Sequence, residues 1–203
     1  MGMKQILVMM AVVMGQSVLA ADKKLLTTEE SAKVIEAAIR NSANKPTGEL
    51  TRADYEKVKV LRLIGEQLTD LKGLEKLTQL IALSLVHNQL IDAKGLEKLT
   101  KIRSLDLSNN KFSEIPRELE KCTQLTHLNL QVNQLTNVKG LEKLTQLTNL
   151  LLAANQLTNV KGLEKLKHLK KLHIYNNSAL TKAQIAELQK ALPNCRISSN
   201  PKR

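Results

Sequence analysis

The chain has 203 residues and 42% apolar content, enough for one domain with a hydrophobic core. Aromatic residues make up 1%, with Tyr55, Phe112 and Tyr175 the whole supply; this excludes a wide core filled by rings and leaves a narrow, regular one built from Leu. The net charge of +12 comes mostly from Lys, and its sign admits nucleic acid or an anionic envelope as partners until the lysines are placed.

Residues 1–20 read as a secretory signal peptide. Met1 to Lys4 is short and basic, Ile6 to Met14 is apolar but too short to span a bilayer, and Val18-Leu19-Ala20 offers a small-residue cleavage site after Ala20. The product is expected to be secreted or periplasmic. Residues 21–57 are expected to form a helical N-terminal cap. Thr27 with Glu30 makes a capping box, Ile35, Ala38 and Ile39 share one helical face, and the segment from Asn44 to Gly48 stops the helix. Thr51 and Asp54 then open a shorter helical segment that feeds the first strand.

Residues 58–180 are read as six copies of one unit. The twelve residues NQLTNVKGLEKL at 133–144 recur letter for letter at 155–166. Asn88, Asn110, Asn133, Asn155 and Asn177 follow one another at intervals of 22, 23, 22 and 22, with Glu66 in the same place one unit earlier. Around them the apolar residues keep one order, as in Leu125, Leu128, Leu130, Asn133, Leu135, which is the leucine-rich repeat pattern L-x-x-L-x-L-x-x-N-x-L. The units begin at Val58, Leu80, Ile102, Leu125, Leu147 and Leu169.

The alternation within "LNL" or "LDL" predicts a short strand with its leucines inward, and successive units would lay these strands side by side about 4.8 Å apart. Beyond the strand the backbone turns where water cannot reach it. A buried Asn both donates and accepts, so the five Asn residues are read as a structural ladder satisfying those turns. A unit of 22 residues has little room for a full helix on the far side, where 3₁₀ turns or short helices are expected. The third unit carries Pro116, so its segment from Ile115 to Cys122 should deviate locally. The fold class is therefore an α/β solenoid: a right-handed superhelix with a parallel concave sheet, a convex side of 3₁₀ turns or short helices, and helical N- and C-terminal caps.

At the back, Thr181 with Gln184 makes another capping box, Ile185, Leu188 and Leu192 lie on one face, and Pro193 ends the helix. Residues 181–197 are read as the C-terminal cap and 198–203 as a flexible tail. Cys122 lies in a convex core position and Cys195 past the last unit, at least three units on, or about 15 Å at strand spacing. That is beyond the roughly 7 Å between Cα atoms that a disulfide allows, so the two are expected to be free.

The chain resembles the secreted bacterial leucine-rich repeat proteins of the internalin-like class, which have units of this length and a helical N-terminal cap. TGELTRADYEKVKVL at the front resembles the cap-to-first-strand junction of that class, GLEKLTQL its convex segment, and AQIAELQKALPNCRI the end cap of many bacterial examples. The resemblance implies a protein-binding module.

On the sheet face three columns are expected to point outward. The first holds Val60, Ala82, Ser104, His127, Asn149 and Lys171; the second Arg62, Ser84, Asp106, Asn129, Leu151 and His173; the third Ile64, Val86, Ser108, Gln131, Ala153 and Tyr175. Ile64 and Val86 at one end, and Leu151, Ala153 and Tyr175 at the other, are apolar where the fold does not require it. The candidate ligand-binding residues are Ile64, Val86, Asp106, His127, Asn129, Leu151, His173 and Tyr175. Tyr175 and Leu151 act as anchors for a protein or peptide ligand, and Asp106, His127 and Asn129 supply polar specificity.

His127 and His173 lie two units apart, about 10 Å, too far to share one metal ion. No catalytic grouping, metal site or cofactor motif emerges, and the chain is read as a monomer without enzymatic function. Lys72, Lys94, Lys139 and Lys161, each just before a Gly, lack the neighbouring Glu that accompanies the other convex lysines. They support the alternative reading, a structural protein held to an anionic envelope surface by weak contact with this basic edge. Nucleic acid is not expected, since the leader exports the chain and no aromatic platform accompanies the lysines.

Overall fold

The computed structural model describes residues 25–200. The signal-peptide reading of residues 1–20 and the last three residues of the tail lie outside them.

Helix α1 (Thr28–Ser42) is started by Thr27, whose hydroxyl accepts from Glu30 N–H while the Glu30 carboxylate accepts from Thr27 N–H. Its buried residues Ser31, Ile35 and Ile39 are four apart, so they form one stripe laid over the first unit. Two hydrogen bonds tie it there: Thr69 Oγ1 donates to Leu26 O, and Thr69 N–H to Ser31 Oγ. Helix α2 (Arg52–Lys57) has the same reciprocal cap from Thr51 and Asp54. A third such cap, Thr181 with Gln184, begins α3 (Lys182–Ala191), whose Leu188 is buried. No helix among the described residues is long and apolar enough to cross a membrane.

Between the helices lies one parallel sheet in sequence order, β1 (Val60–Arg62), β2 (Ala82–Ser84), β3 (Ser104–Asp106), β4 (His127–Asn129), β5 (Asn149–Leu151), β6 (Lys171–His173) and β7 (Arg196–Ser198). The central residues Leu61, Leu83, Leu105, Leu128, Leu150, Leu172 and Ile197 are partners across neighbouring strands. The six leucines are buried, so this row faces the core and both flanking rows face out.

The seventh strand corrects the expected count of six and the boundary at residue 198, which falls inside β7. It stays hidden in the sequence because α3 replaces the short convex turn. Leu172 and Ile197 are therefore 25 positions apart instead of 22 or 23, and no Leu marks the strand.

The convex side carries three-residue 3₁₀ turns at Leu74–Lys76, Leu96–Lys98, Leu141–Lys143 and Leu163–Lys165. Each follows a Gly with φ between 99° and 107°, a conformation that a side chain would strain. That Gly also donates its N–H to the carboxylate two residues on, as Gly140 does to Glu142 Oε2 at 2.7 Å. In the third unit Pro116, with φ of −58°, stands in that place, and the turn lengthens to five residues, Arg117–Lys121. Phe112, fully buried, fills the same unit at the position held by Leu90 and Leu135 in its neighbours.

The five ladder residues Asn88, Asn110, Asn133, Asn155 and Asn177 are buried, and each serves two units at once. Asn88 Nδ2 donates to Leu85 O in its own unit and to Leu63 O in the one before, while its Oδ1 accepts from Leu68 N–H at 2.9 Å. Asn177 repeats this with Ile174 O, Leu152 O and Leu157 N–H. The reach is always towards the preceding turn. Glu66 therefore has no turn of its own kind to serve, and it is exposed.

Candidate ligand-binding face

The outward rows of the sheet place the predicted columns side by side. Val60, Ala82, Ser104, His127, Asn149, Lys171 and Arg196 form one file, and Arg62, Ser84, Asp106, Asn129, Leu151, His173 and Ser198 the next. The third file lies just past the strand ends. It is held by bonds such as Gly65 N–H to Val86 O and His87 N–H to Ser108 O.

The candidates fall into two groups. At the front, Val60 and Ile64 are 47% and 50% exposed, with Val86 half-buried beside them. From the middle to the back runs a connected set of polar groups. Asp106 accepts from Ser108 N–H and Ser108 Oγ on one oxygen and from Asn129 Nδ2, at 3.0 Å, on the other. Asn129 Oδ1 accepts in turn from Gln131 N–H and Nε2, and Gln131 Oε1 accepts from the Tyr175 hydroxyl at 3.3 Å. Asp106, Asn129 and Tyr175 are thus linked through side chains of three different units. His127 stands apart, exposed, with Nδ1 against Thr126 Oγ1 at 2.9 Å.

Two members of the third file are not solvent-facing as expected. Ser108 is buried by its bonds to Asp106, and Ala153 is buried because Tyr175 must cross its position to reach Gln131 two units away. The apolar patch at the back is therefore Leu151 and the Tyr175 ring, both half-buried. The His173 ring tilts against Tyr175 with centroids 5.8 Å apart. Burial, with Lys171 and Arg196 adding to it, holds the His173 imidazole below its usual pKa. This polar chain was not foreseeable from the repeat, because every link joins positions whose residue type changes from unit to unit.

The family model for leucine-rich repeats, in two copies, matches residues 78–121 and 100–143. The stacked strands, short convex turns and Asn column agree with it. The fold is the leucine-rich repeat fold. Among solved structures, a leucine-rich repeat protein of Leptospira interrogans superposes with a TM-score of 0.66 at 32% identity, over 71% of this chain and 38% of the other. An internalin of Listeria monocytogenes gives a TM-score of 0.65 at 22% identity, over 83% and 56%. The chain thus spans about two fifths to just over half the length of these structures. A search of curated protein sequences gives no match. Leucine-rich repeats in general mediate protein–protein interaction.

The convex edge of the leucine-rich repeat stack differs from its reading in sequence. Lys94 does have a partner, since its Nζ lies 3.2 Å from Asp92 Oδ2. The backbone N–H of Lys72, Lys94, Lys139 and Lys161 donates to the Asp or Asn two residues earlier, which fixes the chain ahead of each Gly. The neighbouring glutamates are also committed: Glu75, Glu97, Glu142 and Glu164 accept from the Gly N–H groups. Much of this composition is thus required by the turn. Among the described residues no three His, Cys, Asp or Glu side chains are grouped as metal ligands would be.

Proposed function

We propose that the protein is a secreted or periplasmic module, acting as a monomer without catalytic function, that binds a protein or peptide ligand on its concave sheet. Tyr175 and Leu151 are its apolar anchors, Asp106, His127 and Asn129 its polar contacts, and Ile64 and Val86 a second apolar contact at the front. The observation that carries this reading is the chain Asp106–Asn129–Gln131–Tyr175, which holds side chains of three units in one arrangement before any ligand arrives. A Tyr fixed by its own hydroxyl loses little freedom on binding, and aromatic anchors of this kind carry much of the energy at interfaces.

The test is a pulldown from envelope extract with the wild-type protein and with Tyr175→Ser/Leu151→Ser. The double variant should keep its fold and lose the captured protein. A matched variant, Lys72→Gln with Lys94→Gln, Lys139→Gln and Lys161→Gln, should retain it. If the lysine variant loses the partner and the concave variant keeps it, the protein is instead held to an anionic envelope surface by its convex edge.

A further inference from the structure

The back of the concave face carries two cations that the fold does not explain. Lys171 on β6 and Arg196 on β7 are directly paired across the sheet, side by side at one strand spacing, about 4.8 Å. Like charges directly opposite one another destabilise a sheet. Earlier units hold Val60, Ala82, Ser104, His127 and Asn149 in this file, so the stack is readily built without charge there. Neither cation has an ion pair among the described residues. The single carboxylate on the outward rows of the strands, Asp106, is on β3, three strand spacings from Lys171 or about 14 Å, and is occupied by Ser108 and Asn129. Lys170, exposed just before β6, adds a third positive group.

The geometry points to Lys171 and Arg196 as an anion-binding end of the concave face that takes carboxylates of an acidic polypeptide segment, whose adjoining apolar side chain rests on Tyr175 and Leu151. The inference rests on the concave-face reading above and adds the chemistry of the ligand. Guanidinium and ammonium groups side by side suit a carboxylate pair; Leu151 lies in the adjacent file and Tyr175 in the one beyond it. A polypeptide is favoured over a lipid surface because the cations sit within the sheet, two strands wide, beside an apolar surface that one extended segment could cover.

The experiment titrates an unlabelled peptide of alternating Glu and Leu into the ¹⁵N-labelled protein, followed by NMR. The expected result is saturable shifts confined to β5–β7 and the His173 ring, at least fivefold weaker affinity for Lys171→Gln/Arg196→Gln, and no binding of the peptide with Lys in place of Glu. The charge-reversed variant Lys171→Glu/Arg196→Glu should bind that basic peptide instead. Equal affinity of wild type and Lys171→Gln/Arg196→Gln overturns the inference. So does the absence of shifts at millimolar peptide, and so does binding of phosphatidylglycerol vesicles through the same two residues without binding of the peptide. The Tyr175→Ser/Leu151→Ser variant separates the two levels. If it loses the peptide while Lys171→Gln/Arg196→Gln keeps it, the concave site stands and its acidic specificity falls; if both keep it, the concave site falls as well.

Discussion

The Nδ2 of Asn133 donates at 3.1 Å to the carbonyl oxygen of Leu107, a residue of the preceding unit. The same side chain accepts from Phe112 N–H at 3.1 Å, so Asn133→Ala leaves buried backbone groups of two units without partners. An orphaned buried group costs about 1–3 kcal/mol. The urea midpoint of Asn133→Ala should fall well below that of Asn129→Ala, whose half-buried bonds to Asp106 and Gln131 are worth about 0.5–1.5 kcal/mol. Glu66→Ala, in the corresponding place of the first unit, should stay within about 0.5 kcal/mol of wild type. Equal midpoints for the two Asn variants would contradict the ladder's role.

Val132 is the β-branched member of a column in left-handed backbone, with φ of 53°, where His87, Asn109, Ala154 and Asn176 occupy the same conformation. Its side chain is 46% exposed and gains little from burial there. Asn tolerates this conformation far better than Val. Val132→Asn is expected to raise stability by about 1 kcal/mol, measurable as a higher melting temperature; a lower one would show that the Val side chain makes a contact worth more than the strain.

Acid should destabilise the molecule through carboxyls that the fold holds ionised. Lys57, together with the Thr51 hydroxyl and N–H, holds the Asp54 carboxyl far below its ordinary pKa; Glu142 is lowered by its own N–H and that of Gly140. A carboxyl depressed in the folded state adds stability that is complete above the unfolded pKa, about 4, and is lost as the pH falls below it. Melting temperature should therefore drop on titration from pH 5 to pH 2, and Asp54→Asn should flatten that slope while lowering stability at pH 7. An unchanged slope would mean that Asp54 is not held this way in solution.

Cys122 and Cys195 are both free and buried. Burial, with Glu97 adding to it, pushes the Cys122 thiol up to about 11, and burial also raises Cys195. Reaction requires the thiolate. A thiol reagent at pH 8 should find neither group in the native protein and two in urea without reductant. A fast-reacting thiol in the native state would place one of them at the surface.

Wherever one position recurs with one residue type, the sequence was legible. The Leu files and the Asn column carry a physical demand that is the same in every unit, so six strands and their register could be read directly. The three capping boxes were equally plain, since Thr with Glu, Asp or Gln three residues on is a local signal. β7 was not legible, because α3 intervenes and Ile197 alone represents the inward row. The polar chain on the concave face was hidden for a different reason. Asp106, Asn129, Gln131 and Tyr175 differ in type, and only the stacking of units brings them together. Nor did the sequence reveal that the Glu of each GLEKL segment serves a backbone N–H, which the Gly conformation before the turn makes necessary.

The Asn column gives the stack a direction in time as well as in space. A ribosome delivers the front units first, and the turn at Leu68 receives its side-chain partner only when Asn88 emerges 20 residues later. Every nascent unit thus leaves the ribosome unfinished and is closed by its successor. At the far end the Asn200 side chain makes a different closure: it accepts from Asn176 N–H, where earlier units use the next unit's backbone carbonyl, and donates to Asn177 O. Removing units from the back should therefore strand backbone groups in the last unit left, whereas the ladder bonds of the later units survive removal of the front.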